Sequence, residues 1–362
     1  MSAGAIKERC RELQNKRWFA SAAFVCFFLF MALAPSLLDL FGVSGGGIAQ
    51  LDMLNKIGIS AALALSLNVI LGQAGLFHMG HTAFFAVGAY TTAVLSTMYQ
   101  WPIFSAMPVA GLLAAAIGLA VALPIIHLRG DYLLVVTIGI VEIVRIALMN
   151  NIFGITGGAN GIYGIARPAI FGFVFNSPKS QFYLIWSFTA LTVFIFYLLE
   201  HSRFGRALNY IKADDTAAAG CGINVARYKL AAFTLGAFWA GMAGTLYAAN
   251  IRTIEPTSFN FFESVILFAI VILGGSGSIA GVLLGSFLLI GLQDVFRDFD
   301  SARMLVFGLA MMAMMIFRPQ GLLPPRRRRY DARKLMGKYA CGISRQCGAK
   351  YNPYDEDEGS AS

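Results

Sequence analysis

Glu142 and Arg145 interrupt an apolar stretch, 132–149, that carries no other charge. A charged side chain at membrane depth is expensive, so it marks a functional position unless it is paired. Three residues apart on a helix, the two side chains share a face and can meet. Two readings stand: a structural ion pair that locks helices together, or a polar element of a conduction path. Asn68 and Gln73 are the second set. They lie in and beside a short apolar stretch that ends in Leu71-Gly-Gln-Ala-Gly75. Neutral amides there would meet a zwitterion without a fixed charge to hold it, which suits a substrate that must pass quickly. Asn68, Gln73, Glu142 and Arg145 are therefore the candidate translocation residues.

Other chemistry is sparse. His78 and His81 form an H-x-x-H pair, but the next carboxylate along the chain is Asp131. Cys10, Cys26, Cys221, Cys341 and Cys347 are too scattered for a metal or redox motif, and free thiols are expected. No metal site and no cofactor are expected. The chain has no G-x-x-x-x-G-K-[ST] loop to cradle phosphates, no nucleophile elbow and no H-E-x-x-H. An enzyme reading has no residues to stand on. The net charge of +9 is carried largely by the C-terminal tail and gives no reason to invoke nucleic acid.

These residues are set in a chain that is 57% hydrophobic and only 13% charged, where an ordinary soluble chain is about 25% charged. Residues 82–126 contain no Lys, Arg, Asp or Glu. Ten apolar segments follow one another: 19–40, 57–71, 83–98, 109–126, 132–149, 182–199, 230–249, 264–273, 279–295 and 304–317. About 20 apolar residues cross a bilayer as a helix, so the expected fold is an all-α, polytopic membrane bundle of about ten spans. With both termini placed in the cytoplasm, 21 of the 28 Lys and Arg fall inside, six outside, and Arg145 within a span. That bias follows the positive-inside rule.

Two spans look short, 57–71 and 264–273, and each runs into a glycine cluster, Leu71–Gly75 and Leu273-Gly-Gly-Ser-Gly277. Broken helices of this kind point to a transport pathway, because irregular backbone is tolerated only where it lines a cavity or is buried in protein. The alternative is that both clusters are tight cytoplasmic hairpins. Small residues recur at packing intervals, with Gly80, Ala83, Ala86 and Ala89 in one span, Gly236, Ala240 and Gly244 in another, and Gly277, Gly281 and Gly285 in a third. Such spacing lets helix backbones approach closely.

The domain organisation expected is a basic cytoplasmic N-terminus (1–17), a transmembrane domain (18–323) and a polar, disordered cytoplasmic tail (324–362) that opens with the arginine run Arg326–Arg329. The 22-residue first apolar segment is too long for a cleaved signal sequence. The arginine run reads as a topological anchor, with contact to anionic membrane lipid as the other reading. Within the bundle, the inside loop 200–229 is the longest. Ala207, Leu208, Ile211, Ala218 and Ala219 make an apolar face and Lys212, Asp214 and Asp215 a polar one. A short amphipathic helix at the cytoplasmic surface is expected over 205–222. It either rests on lipid or docks a cytoplasmic partner.

Eight segments in this order resemble the permease subunits of ATP-binding-cassette importers for branched-chain amino acids, of the LivM type. They are Leu67-Asn-Val-Ile-Leu-Gly-Gln-Ala-Gly75 with Gly80-His-Thr-Ala-Phe-Phe-Ala-Val-Gly-Ala-Tyr90, Leu128-Arg-Gly-Asp-Tyr-Leu133 with Glu142 and Arg145, and Thr156-Gly-Gly-Ala-Asn-Gly-Ile162. Ser202-Arg-Phe-Gly-Arg-Ala-Leu208, Gly222-Ile-Asn224, Leu273-Gly-Gly-Ser-Gly-Ser278 and Phe317-Arg-Pro-Gln-Gly-Leu322 complete the set. The resemblance implies a bacterial inner-membrane subunit without an ATPase site of its own. Its implied partners are a homologous permease subunit, two cytoplasmic ATPase subunits and a periplasmic substrate-binding protein. Asp214, Asp215, Ala217, Ala218 and Gly222 would then be the ATPase-coupling residues. Ala219 departs from the family pattern, in which glutamate is common. Related permeases handle leucine, isoleucine and valine, and also other amino acids, short amides and urea. The competing class is a self-sufficient secondary transporter or channel for a small polar solute, to which glycine-broken helices and an intramembrane Glu/Arg pair also belong.

Overall fold

The computed structural model describes residues 47–323, apart from 127, 129, 152, 153, 171, 172 and most of 296–320. The expected N-terminus 1–17, first span 19–40 and tail 324–362, with all but a few residues of the last span 304–317, lie outside the described residues, as do His127, Cys10, Cys26, Cys341 and Cys347.

The eight remaining apolar segments are all helical. They correspond to α1 (Gly47–Asn68, continued by a π-helical turn Val69–Gln73), α2 (His81–Met98), α3 (Ile103–Ile125), α4 (Asp131–Met149), α5 (Pro178–His201), α8 (Val225–Ile251), α9 (Phe261–Gly274) and α10 (Ile279–Val295). Between α5 and α8 lie two shorter helices, α6 (Arg203–Ala213) and α7 (Asp215–Gly220). Among the described residues, six stretches are long and apolar enough to cross a membrane: Gln50–Gln73, Ile103–Ile125, Asp131–Met149, Pro178–His201, Val225–Ile251 and Pro256–Gly274. α10 is a shorter apolar helix. α2 reaches 18 residues but carries His81, Thr82, Tyr90, Thr92 and Ser96, all of them buried. Its polar side chains are hidden from lipid by the helices around it.

Neither of the spans expected to be short is as short as its apolar run. α1 begins at Gly47 instead of residue 57 and supplies a 24-residue span, Gln50–Gln73. The polar residues Asp52, Asn55 and Lys56 that precede the apolar run are part of the helix: Lys56 reaches across to Asp294 of α10 at 3.9 Å and Asn55 is buried within the bundle. Helical hydrogen bonding simply continues through these polar turns. α9 is 14 residues long and follows a 3₁₀ turn, Pro256–Ser258; Asn260 caps it by accepting from the Glu263 amide at 3.1 Å.

α8 packs against α1, α2 and α3, and α1 packs in turn against α5, α9 and α10. Glycine sets the closest approaches. A Cβ on Gly88 of α2 would lie 2.2 Å from the Gly241 carbonyl oxygen of α8. One on Gly281 of α10 would lie 2.1 Å from the Gly274 oxygen of α9, and one on Gly285 would lie 2.7 Å from that of Ile270. The contacts run in opposite chain directions, so α9 and α10 form an antiparallel hairpin around Gly275–Ser278. That geometry matches the hairpin reading of this cluster. Hydroxyls join helices where backbones are near. Thr82 and Ser264 lie 2.5 Å apart, Thr92 and Thr245 2.9 Å, and Trp239 Nε1 donates to Thr192 Oγ1 at 2.7 Å.

At the end of the bundle away from α6 and α7, β1 (Ile162–Tyr163) pairs antiparallel with β4 (Thr253–Ile254), and β2 (Ala169–Ile170) pairs with β3 (Phe173–Val174). The loop Thr156–Gly161 leads directly into β1, and a Cβ on Gly161 would lie 2.0 Å from the Ile254 oxygen. The loop that follows α4 is thereby tied to the one that follows α8.

Gly88→Ala tests the close approach of α2 and α8. It forces the two backbones apart and should destabilise the protein by roughly 1–3 kcal/mol, the usual cost of overpacking. Gly139→Ala on α4, where nothing lies within 4 Å of the added Cβ, should be neutral or stabilise by up to ~1 kcal/mol through helix propensity. Thermal unfolding in detergent separates them; equal effects from both would remove the close-approach argument.

Candidate functional site

The π-helical turn that ends α1 is a local necessity. Gly72 sits so near two polar groups that a Cβ there would lie 2.1 Å from Asn68 Oδ1 and 2.5 Å from the Gly277 amide nitrogen. Without that Cβ, Gly277 N–H donates to Asn68 Oδ1 at 2.8 Å. The two glycine clusters are thus in contact, joined by one hydrogen bond. Carbonyls at a helix end lack intrahelical partners, and here Gly72 O accepts from Lys212 Nζ of α6 at 2.6 Å. A cation at a helix C-terminus is also favoured by the helix dipole. Gly75 turns with φ +72° and packs against the Lys212 stem, 3.1 Å from its Cγ to a built Cβ. Backbone amides of Leu322 and Leu323 donate to Leu273 O and Gly274 O at 2.8 and 3.1 Å, closing the end of α9.

Asn68 and Gln73, the two neutral candidates for the translocation route, are both 2% exposed. Asn68 spends its carbonyl oxygen on the neighbouring cluster, while Gln73 Oε1 is buried with no partner among the described residues. They sit at the same end of the bundle as α6.

The expected single helix over 205–222 is two helices. Asp214 adopts an extended backbone, φ −160° and ψ 114°, and its Oδ1 accepts from the Thr216 and Ala217 amides at 2.8 and 3.1 Å. It ends α6 and caps α7, the role for which a short acceptor side chain is favoured. Ser202 caps α6 by accepting from Gly205 N at 3.2 Å, and Asn224 caps α8 by accepting from Arg227 N at 3.1 Å. Asp215 is bound to Lys229 of α8 at 2.5 Å. Ala207, Leu208, Ile211 and Ala218 are buried as the expected apolar face requires. Ala219, however, is exposed, because the break at Asp214 rotates the second helix relative to the first. Lys212 belongs to the bundle side instead of the water side. Of the expected coupling residues, Ala217 and Gly222 face outward and Ala218 is covered by its own chain.

Glu142 and Arg145 do meet. Arg145 Nε and Nη2 both reach Glu142 Oε2, at 2.8 and 2.7 Å, and Nη1 lies 3.4 Å from Met149 Sδ. Among the described residues the pair closes within α4 and makes no bond to another helix. Its side chains remain 35% and 27% exposed on the least covered of the six spans: 28% of the α4 span is buried, against 83% of that of α1. The His78 and His81 rings lie 6.0 Å apart and edge-on. His81 Nε2 is 2.7 Å from Ser66 Oγ, and His78 packs between Phe84 and Phe233. Both are core rings of the bundle.

Membrane-length helices in glycine contact, a polar break buried at one end, and a capped pair of surface helices beside it define a multi-pass membrane protein of the transport class. The chain belongs to the family described as branched-chain amino acid transport system / permease component, which matches residues 50–317. It is 40% identical over 300 residues to the high-affinity branched-chain amino acid transport system permease protein LivM of Escherichia coli (strain K12), covering 76% of this chain and 69% of that protein. Against the probable branched-chain amino acid transport permease protein LivM of Methanocaldococcus jannaschii it is 26% identical, covering 78% and 86%. The ribose import permease protein RbsC of Haemophilus influenzae is 23% identical, with 69% and 77% covered. No solved structure matches the chain.

The half-open ion pair makes a prediction. Glu142→Gln or Arg145→Gln alone leaves one charge unpartnered on a membrane helix and should cost roughly 1–3 kcal/mol, between the scales for an exposed pair and for a fully buried one. The double change to Leu should be milder. Folded yield in membranes measures this, and harmless single changes would show that the pair faces water.

Proposed function

We propose that this chain is a permease subunit of an ATP-binding-cassette importer that carries branched-chain or related amino acids across the bacterial inner membrane. The observation that carries this reading is the α6–α7 segment: two capped helices, outward on one side and fastened on the other to α8 and to the broken end of α1. Family membership and the 40% identity to a branched-chain amino acid permease support the substrate class.

In the assembled transporter the chain has ten spans with both termini in the cytoplasm, in keeping with the 21-to-6 distribution of basic residues. Two cytoplasmic ATPase subunits hydrolyse ATP, and α6–α7 is where one of them docks. Ala217, Gly222 and the capped turn at Asp214 and Asp215 offer the contact, with Ala218 acting from inside as packing. A homologous permease subunit covers the open face of α4, and Glu142 and Arg145 then lie beside the route between the two subunits. Neutral and paired polar groups suit a zwitterion that must be released again. A periplasmic binding protein delivers substrate at the end that bears β1 and β4.

Reconstitution tests the reading. The chain alone in vesicles should move no amino acid, and uptake should appear only with ATPase subunits, partner permease, binding protein and ATP. Ala217→Arg should leave insertion intact and lower ATP-driven uptake about tenfold, equivalent to ~1.4 kcal/mol of lost docking. Uptake by the chain alone would establish a self-sufficient transporter in its place.

A further inference from the structure

Lys212 is out of place for a residue on a surface helix. Its ammonium group turns away from the water face and donates to Gly72 O at 2.6 Å, 140 residues away in the sequence. Four residues before Gly72, Asn68 takes the Gly277 amide at 2.8 Å. Gly72 itself must lack a side chain for that second bond to form. One cation and one side-chain amide thus add specific hydrogen bonds between three elements that also share apolar packing: α6, the π-helical end of α1, and the α9–α10 turn. The helix ends that meet here are closed by their own turns, Ala74 N–H to Val69 O in the π turn of α1 and Gly275 N–H to Val271 O at the end of α9, so the Gly72 carbonyl and the Gly277 amide are the groups that reach outward. Displacing α6 pulls on the Gly72 carbonyl directly, and the Asn68–Gly277 bond carries the pull into the second cluster.

We propose that Lys212 and Asn68 are positioning residues for transport, forming a joint that converts movement of α6–α7 into movement of both glycine-broken ends. This rests on the reading of α6–α7 as the ATPase-docking segment. It gives Asn68 a different task from lining the route: its amide holds the two breaks in register. The second anchor of the segment, Asp215 to Lys229, fixes α7 on α8 and leaves α6 as the arm that moves.

The test uses the complete transporter in vesicles, with uptake and ATP hydrolysis measured on the same preparation. Lys212→Met keeps the aliphatic stem beside Gly75 and removes the donor. It should assemble, hydrolyse ATP, and lose about fivefold or more in substrate moved per ATP, the lower range of coupling between linked sites. Lys212→Arg, which can still donate to the carbonyl, should retain at least about half of the ratio on the same scale. Asn68→Leu should resemble Lys212→Met. An unchanged ratio in Lys212→Met overturns the joint, and so does failure of that variant to assemble, which would make Lys212 a folding residue. Docking is checked separately by cross-linking to an ATPase subunit from the exposed thiol of Cys221, with the other four cysteines replaced by serine. No cross-link in the otherwise native chain overturns the docking reading and the joint with it, whereas a cross-link with an unchanged ratio overturns the joint alone.

Discussion

Helices surrounded by lipid gain little by hiding apolar side chains from one another, because lipid tails are as apolar as leucine; contact must come from close backbone approach and from polar bonds between helices. That constraint organises the whole bundle. α8 comes closest to its neighbours where it offers glycine: Gly236 towards Ile70 and Ser66, Gly241 towards Ala110 and Gly88, Gly244 towards Phe85 and Ala89. With backbones that near, short hydroxyl side chains can reach across, which is why threonine and serine supply the bonds between α2, α8 and α9. α2 is the extreme case: its His81, Thr82, Tyr90, Thr92 and Ser96 are all buried among the neighbouring helices.

The same constraint makes the end of α1 conspicuous. A helix that stops inside a bundle leaves carbonyls and amides that water cannot satisfy, and each must find a protein partner. Here the partners come from distant segments, Lys212 for one carbonyl and Gly277 pairing with the Asn68 amide. π-helical turns recur at functional sites. This one keeps its own backbone bonds, Ala74 N–H to Val69 O and Leu76 N–H to Ile70 O, takes two more from distant segments, and leaves Gln73 Oε1 buried without a partner among the described residues.

Sequence pattern carried the helices well, since apolar length and glycine spacing are properties of the chain itself. The eight apolar segments inside the described residues are helices, and Gly281, Gly285 and Gly244 do make interhelical contacts. Boundaries were less legible. The start of α1 was hidden by Asp52, Asn55 and Lys56, whose partner Asp294 is more than two hundred residues away and invisible to local reading. The placement of Lys212 lies beyond local pattern for a related reason. Periodicity gives a side chain's angle on its own helix, and the break at Asp214 together with a carbonyl from α1 decided where it goes. The Glu142–Arg145 contact was readable because three-residue spacing is local. That the pair closes on α4 alone, instead of bridging helices, depended on what stands opposite, and sequence spacing does not carry that.

The two ends of the molecule are built to different standards of rigidity, and that difference bears on how a permease of this family could work. Away from α6–α7, paired strands join the loops after α4 and α8, with Gly161 pressed against the Ile254 carbonyl. At the α6–α7 end, the connections are side-chain bonds from Lys212, Asn68 and Asp215, backbone bonds from Leu322 and Leu323, the packing of Leu208 and Ile211, and positive-φ turns at Gly75, Gly222, Gly275 and Gly277. Movement of α6 in the proposed joint bears first on the two bonds made by Lys212 and Asn68. Because a net hydrogen bond is modest, about 1 kcal/mol between neutral groups and about 1.5–3 kcal/mol where one partner is charged, as Lys212 is, exchanging these two costs less than unpacking the many close contacts around α8. The weak end therefore yields before the core does.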